Sequence, residues 1–202
     1  LPWTSPSTGT ATVAVVQGDV PGPGNDILYD FRQVTENHVQ ATVDLAGDVA
    51  AGREPAPDFV VWPENSTATD PWRDPQTNAG ILRATEAIGV PVLVGALVDG
   101  PPGAVLNQGI VWDPVTGAGE RYTKRHPVAY GEFIPFRDTP LELSFGDLAR
   151  IQRDMLVGTS KEPLSIAGTQ VADAICFDVA YEDAIYDQVS RGAELLSVQT
   201  SN

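Results

Sequence analysis

The order of apolar segments along the chain constrains its fold most. The first half alternates short β-branched runs with longer stretches whose apolar residues recur at helical spacing. The β-type runs cover residues 12–17, 58–62 and 91–98, and the helical stretches cover residues 27–49 and 78–88. Such alternation is typical of a sheet that is covered by helices.

The second half of the chain is rich in strand patterns. Residues 106–112 and 119–122 predict a hairpin across the turn at residues 113–117. A further strand pair, a helix and a last strand are predicted at residues 164–166, 169–175, 181–191 and 195–199. Alternation of strands and helices in the first half of the chain, followed by hairpins in the second half, favours an α/β (α+β) fold. In such a fold, mixed sheets are covered by helices.

Two stretches fall outside this pattern. Residues 1–10 are rich in Pro, Ser, Thr and Gly and predict a linker or tail. Residues 124–163 form a long segment with several prolines, and such segments in compact domains are usually functional or disordered. Residues 11–202 are long enough to bury a core and are expected to form one domain. The chain begins at Leu1 without an initiator methionine, which indicates a piece of a longer protein.

The charge of the chain argues against some partners. It has 27 acidic and 12 basic side chains and a formal net charge of −15. Binding to nucleic acid is not expected, since phosphate recognition needs a basic surface. Electrostatic adsorption to anionic lipid is disfavoured for the same reason. The single cysteine excludes an internal disulfide. No run approaches the roughly 18 apolar residues of a membrane-spanning helix, and no residue pattern indicates a metal ion or a cofactor.

Three reactive side chains each follow an apolar, strand-like run. They are Glu64, Lys124 and Cys176, the only cysteine. Because α/β sheets place catalytic groups at the ends of their strands, we expect these side chains to meet. A carboxylate base, an ammonium group that stabilises an oxyanion and a thiol nucleophile together suit acyl transfer through a thioester.

Each of these residues, taken alone, has a simpler interpretation. A lone cysteine in an apolar strand is most often a small core residue. Lys124 would be an exposed member of a basic cluster, and Glu64 a solvated loop carboxylate. A predicted helix follows Cys176, and its dipole would favour the thiolate, although nearby acidic residues oppose this and make a cationic partner necessary.

The residues around these three extend the candidate site. Glu132 lies among apolar residues shortly after Lys124, so a loop would return it to the same pocket; the alternative is a capped loop acid. His126 is expected to be structural, because Pro127 fixes its backbone. Residues 65–67 match a glycosylation acceptor but are expected to line the pocket.

Taken together, four segments resemble the nitrilase superfamily and, within it, the apolipoprotein N-acyltransferase family. Any one motif is weak, but four in order along the chain are specific. The resemblance covers residues 13–202. The segments are Val16 to Pro21, Trp62 to Glu64, Lys124 to Phe136 and Ile175 to Asp178.

The resemblance implies an α-β-β-α sandwich and a role for each site residue. Glu64 would be the general base, Lys124 the oxyanion stabiliser and Cys176 the nucleophile. Glu132 matches an additional pocket glutamate of the family. The residues expected to support the site or bind substrate are Glu132, Phe177, Asp178 and Tyr130.

The resemblance also implies a reaction and a place in the cell. Family members take an acyl chain from a phospholipid as a thioester and give it to the α-amine of a lipoprotein's diacylglyceryl-modified N-terminal cysteine. Membrane helices flank the catalytic domain, which faces outward from the cell membrane. On this basis residues 11–202 would be a nitrilase-like catalytic domain that is truncated at its C-terminus.

The sequence departs from the family pattern at several points. Asp178 stands where the family often has Glu, and residues 22–29 hold no Trp. Residues 127–130 also differ from the usual Leu-Val-Pro-Phe. Two alternatives therefore stay open: a soluble amidase or nitrilase of the same superfamily with water as the acceptor, and a non-catalytic binding domain.

Overall fold

A computed structural model describes residues 9–19, 30–137, 139, 148 and 151–201. Within these ranges, two β-sheets stack face to face, and helices cover the outer face of each sheet. The helices are α1 (Phe31–Ala50), α2 (Pro75–Ile88) and α3 (Glu182–Val189), with a 3₁₀ turn at Cys176–Ala180. The strands are β1 (Val13–Val15), β2 (Phe59–Val61), β3 (Val92–Asp99), β4 (Ala104–Asp113), β5 (Gly117–Thr123), β6 (Asp154–Met155), β7 (Leu164–Ile166), β8 (Thr169–Ile175) and β9 (Leu195–Gln199).

The larger sheet sets the direction of two strands that lead to predicted site residues. Its order is β1-β2-β3-β4-β5, and β6 pairs with the start of β4. β1, β2 and β3 run parallel, whereas β4 is antiparallel to both β3 and β5. β2 and β5 therefore end at the same edge of the sheet, where Glu64 and Lys124 follow them.

The smaller sheet has the order β7-β8-β9, with β8 and β9 parallel. Its inner face packs against the larger sheet through apolar side chains. The main members of this inter-sheet core are Phe59, Leu93, Val111, Tyr122, Ile166, Val171 and Ile175. On the outer faces, α1 and α2 pack on the larger sheet and α3 packs on β8. The predicted α/β sandwich with mixed sheets and covering helices is confirmed.

The structure differs from the predicted elements in a few places. α2 begins at Pro75 rather than residue 78, because the Asp74 carboxylate caps it by accepting hydrogen bonds from two backbone N–H groups. The segment 124–163 contains the short strand β6, which the irregular pattern did not indicate. Residues 1–8 of the predicted linker and the predicted start of α1 at residue 27 lie outside the described residues.

None of the described helices combines the length and the apolar character that crossing a membrane requires.

Candidate active site

Glu64 lies in a tight turn after β2. Asn65 has a positive φ of 57°, and the Ser66 hydroxyl and the Thr67 N–H both donate to the Gly95 carbonyl oxygen on β3. A side chain on Gly95 would meet the Pro63 carbonyl oxygen and lie 2.8 Å from the Glu64 Cα. Only glycine at this position therefore lets the turn lie directly on the sheet.

The Glu64 carboxylate is fixed on both of its oxygens. Its side chain is buried, with 4% of the residue exposed. Oε1 accepts hydrogen bonds from Asn107 Nδ2 at 2.8 Å and Lys124 Nζ at 3.1 Å. Oε2 accepts from the Ser201 N–H at 3.1 Å and from its hydroxyl at 3.2 Å. The carboxylate is thus held by β4, by the residue after β5 and by the segment after β9.

Lys124 lies between two carboxylates and has no exposed surface. Its Nζ donates to Glu132 Oε1 at 2.6 Å as well as to Glu64 Oε1. Glu132 is held in turn by the Val128 N–H, which donates to Oε2 at 2.8 Å. Burial opposes the charge on Lys124, but Glu64 and Glu132 outweigh it, so the pKa of the ammonium group is raised. Lys124 is therefore a fixed positive charge, not the solvated lysine of the simpler interpretation.

Cys176 begins the 3₁₀ turn directly after β8, with a positive φ of 49°. Residues other than glycine rarely adopt this conformation, and strained residues of this kind cluster at active sites. The thiol is free and partly buried. Its pKa is raised by burial and by the charge of Glu64, while Lys124 and a hydrogen bond with Thr200 lower it. The resting thiol is therefore protonated at neutral pH and needs a base to become a nucleophile.

The expectation that a helix dipole would favour the Cys176 thiolate is wrong for a local reason. The helix α3 begins only at Glu182, and the extended residue Tyr181 separates it from the 3₁₀ turn. Cys176 therefore does not lie at the first turn of α3, where a helix dipole acts on neighbouring groups.

Asp178 connects the end of β8 with the segment that follows Lys124. It is fully buried and accepts hydrogen bonds from the Tyr122 hydroxyl at 2.9 Å and from the N–H groups of Arg125 and His126 at 3.1 and 2.8 Å. The Ile175 N–H donates to it at 3.3 Å. Asp178 thus holds the strand that carries Cys176 against the residues next to Lys124.

Two aromatic residues among the predicted site residues lie at the surface. Phe177 is 41% exposed and contacts the ring of Tyr181 edge-on at 5.4 Å. Tyr181 also stacks on His126, with ring centroids 3.9 Å apart, and His126 Nε2 contacts Asp183. Tyr130 is 47% exposed, at a turn where it has a positive φ of 62°. The structure therefore groups Phe177 with His126, whereas Tyr130 belongs to the loop that presents Glu132.

Two polar residues that bind Glu64 were not identified from the sequence. Asn107 is fully buried in the middle of β4, and Ser201 follows β9. The one signal in the sequence that could have identified Asn107 is a polar side chain on the inward face of an apolar strand. Among residues 65–67, Asn65 reaches the same group, since its Nδ2 donates to the Ser201 hydroxyl at 3.3 Å.

The chemistry of the site follows from these contacts. The buried Lys124 ammonium group contacts the Glu64 and Glu132 carboxylates, and the charges of these three groups act on the Cys176 thiol. This set suits nucleophilic catalysis at a carbonyl carbon. In the part of the chain that the structure describes, no group of three or more His, Cys, Asp or Glu side chains is arranged to hold a metal ion.

The chain is similar to curated proteins of one name. It is 40% identical over 197 residues to an apolipoprotein N-acyltransferase from Mycolicibacterium smegmatis, a match that covers 95% of the chain and 33% of that protein. It is 30% identical over 206 residues to a protein of the same name from Azotobacter vinelandii, covering 97% of the chain and 37% of that protein. The chain thus spans about a third of the length of these relatives.

Solved structures share the fold at low sequence identity. A carbon-nitrogen hydrolase from Helicobacter pylori has a TM-score of 0.64 at 17% identity, covering 94% of this chain and 60% of that one. A double mutant of an amidase from Nesterenkonia sp., in complex with acrylamide, has a TM-score of 0.57 at 14% identity, covering 97% and 67%. The family model described as carbon-nitrogen hydrolase matches residues 12–202. Since that match covers nearly the whole chain, the chain belongs to the carbon-nitrogen hydrolase family.

Proposed function

We propose that this chain is the catalytic part of an N-acyltransferase in which Cys176 carries the acyl group as a thioester. The observation that carries the proposal is the buried Lys124, held between Glu64 and Glu132 so that all three charges act on the thiol of Cys176. Buried charges are costly unless they are paired, and such clusters occur preferentially at functional sites. The relatives named apolipoprotein N-acyltransferase support acyl transfer as the reaction.

In the first half of the reaction, Glu64 accepts the proton of the Cys176 thiol while the sulfur attacks the carbonyl carbon of an acyl ester. The oxyanion of the tetrahedral intermediate is stabilised by the Lys124 ammonium group and by the N–H of Phe177. The ester C–O bond then breaks, and the departing alcohol takes the proton from Glu64. The acyl group remains on the sulfur.

In the second half, an amine attacks the thioester carbon. Glu64 accepts a proton from the attacking nitrogen, and Lys124 again stabilises the oxyanion. The C–S bond breaks, the sulfur recovers the proton and the product is an amide. Because Glu64 holds its proton only between steps, both halves begin from the same ionisation state of the site.

The acyl donor in this proposal is a phospholipid, and the acceptor is the α-amine of a diacylglyceryl-modified cysteine at the N-terminus of a lipoprotein. The protein would act at the cell membrane, with this domain on the extracytoplasmic face. Exposed apolar side chains in the segments that follow Lys124 and Cys176 suit an acyl chain as substrate. They are Tyr130, Phe136, Leu156, Val157, Phe177, Val179 and Tyr181.

The test is intact-mass analysis of the full-length protein after incubation with a phospholipid of defined acyl chain. We expect a mass increase of one acyl group in the wild type and none in Cys176→Ala or Glu64→Gln. Addition of a diacylglyceryl-cysteine peptide should remove the adduct and yield the N-acylated peptide. Lipid binding without an adduct on Cys176 would refute the proposal.

An amidase with water as the acceptor is the second candidate, favoured by the solved amidase that shares the fold. The same experiment separates the two. If the acyl group appears as a free fatty acid at the same rate with and without the peptide, water is the acceptor.

A further inference from the structure

A second group of buried polar residues lies between the sheets, next along β4 to the residues that bind Glu64. The residues at positions 107, 109 and 111 of β4 face the smaller sheet: Asn107 binds Glu64, whereas Val111 belongs to the apolar inter-sheet core. Gly109 lies between them. Opposite Gly109 are Asp173 of β8, with no exposed surface, and Gln199 of β9, which is 1% exposed.

Gly109 leaves room for both side chains. A Cβ at this position would overlap Asp173 Oδ2 and lie 2.6 Å from Gln199 Oε1. Both oxygens therefore border the same small space, which a larger residue at position 109 would fill.

The orientation of the Gln199 amide is fixed by its other end. Nε2 donates to the Trp62 carbonyl oxygen at 2.6 Å, so Oε1 is the atom that faces Asp173. Gln199 Oε1 has no hydrogen-bond partner among the described residues, and the two Asp173 oxygens have none at full hydrogen-bond geometry. The Ser197 hydroxyl, which is also unpaired, is the nearby side chain that lowers the pKa of Asp173 through a hydrogen bond. Two acceptors that face each other in a buried space repel one another unless one of them carries a proton.

We propose that Asp173 is a neutral carboxylic acid that donates its proton to Gln199 Oε1 and so acts as a positioning residue for Glu64. The inference rests on the proposed function, since it takes Glu64 to be the general base. Ionisation of Asp173 would turn the donor into a second acceptor and break the contact.

The contact reaches Glu64 by two routes. Gln199 Nε2 holds the carbonyl of Trp62, which immediately precedes the Pro63–Glu64 turn. Ser201, which follows Gln199 in the same segment, donates to Glu64 Oε2 through both its N–H and its hydroxyl. Displacement of Gln199 would therefore move the backbone of Glu64 and two of its hydrogen-bond donors together.

The groups around Asp173 favour its neutral form. The titratable groups that face it are Asp178, in the turn after β8, and Tyr122, on β5. β9 presents Ser197 and α3 presents Gln188, which bonds to the backbone of Asp173. Burial and the charge of Asp178 raise the pKa of Asp173 to about 8, and Ser197 opposes the shift.

The experiment compares Asp173→Ala and Asp173→Asn in the full-length protein by the single-turnover rate of thioester formation on Cys176. Loss of the donor in Asp173→Ala should lower the rate by up to about 100-fold, as a small misplacement of a catalytic group does. Asp173→Asn should restore most of the rate, because its NH₂ group donates to Gln199 without a titrating proton. The rate of thioester formation in wild type should also fall as pH rises through the Asp173 pKa of about 8. This fall should be absent in Asp173→Asn.

Equal rates in Asp173→Ala and Asp173→Asn would overturn the inference, because the donor would then be irrelevant. An independent readout is the infrared band of a protonated carboxyl group, assigned by its loss in Asp173→Asn. Its presence at pH 7 supports the inference, and its absence overturns it. If wild type forms no thioester, the proposed function fails, while the infrared band still decides the state of Asp173.

Discussion

Replacement of Asp173 by asparagine should raise the free energy of unfolding, by an amount that grows with pH. The carboxyl group ionises near pH 3.8 in the unfolded chain and near pH 8 in the folded one. Between these values the unfolded state releases a proton that the folded state keeps, so wild-type stability falls by about 1.4 kcal/mol per pH unit. The contribution of Asp173 to the free energy of unfolding is fully present below the pKa of the unfolded chain. It is lost as pH rises to the pKa of the folded chain.

The size of the effect follows from the same two values. Over the whole window the loss is about 6 kcal/mol at most. Asparagine has a similar shape and does not titrate, so it avoids this loss. The difference in free energy of unfolding between Asp173→Asn and wild type should therefore be about 3 kcal/mol larger at pH 7 than at pH 5.

Denaturant unfolding followed by tryptophan fluorescence would measure this difference, since Trp62 and Trp112 are buried. Asp113→Asn is a control whose difference from wild type should not change between pH 5 and pH 7. The Asp113 carboxylate accepts hydrogen bonds from the N–H groups of Thr116 and Val115, which lower its pKa, so it stays ionised across this window. If the difference for Asp173→Asn is the same at both pH values, Asp173 is ionised in both states and the reasoning is wrong.

Three further predictions concern Glu64, Lys124 and Cys176. Lys124→Met leaves the buried Glu64 carboxylate and the partly buried Glu132 carboxylate without their cation. It should lower the free energy of unfolding by about 3–5 kcal/mol in denaturant titrations and abolish the acyl adduct. Gly95→Ala should displace the Glu64 turn and slow thioester formation, while Gly119→Ala, whose added Cβ finds only the Val111 carbonyl oxygen at 3.6 Å, should leave the rate unchanged. The rate of Cys176 alkylation by iodoacetamide should rise with pH, and its apparent pKa should lie above 9.0. Glu64→Gln should lower that apparent pKa by removing a like charge and yet abolish acyl transfer. Lys124→Met should raise the apparent pKa, so a fall in this variant would contradict the assigned charges.

The sequence predicted those parts of the site that depend on local pattern. Glu64 and Lys124 each follow an apolar run, and parallel strands bring such ends to one edge. Glu132 was expected in the same pocket because a loop would return it there, and it contacts Lys124. The capping signal of α2, an aspartate directly before a proline, is also visible in the sequence.

The rest of the site depends on register between distant segments. Asn107 reaches Glu64 because β4 places that side chain on its inner face, and a shift of one residue would turn it outward. Asp173 and Gln199 border one space only because Gly109 lies opposite them in the stacked sheets. The polarity of these residues is visible in the sequence, but their partners are set by how two sheets pack.

The contacts of Trp62 and Glu64 with Gln199 and Ser201 also bear on the order of folding, because each joins residues 137 positions apart. Contacts of such long range form late, since the loop they close is costly in entropy. Glu64 acquires two of its hydrogen-bond donors only when the segment after β9 has docked. In the proposed reaction, Cys176 would therefore react with acyl esters only after this segment has docked, and that reactivity would report the completion of folding.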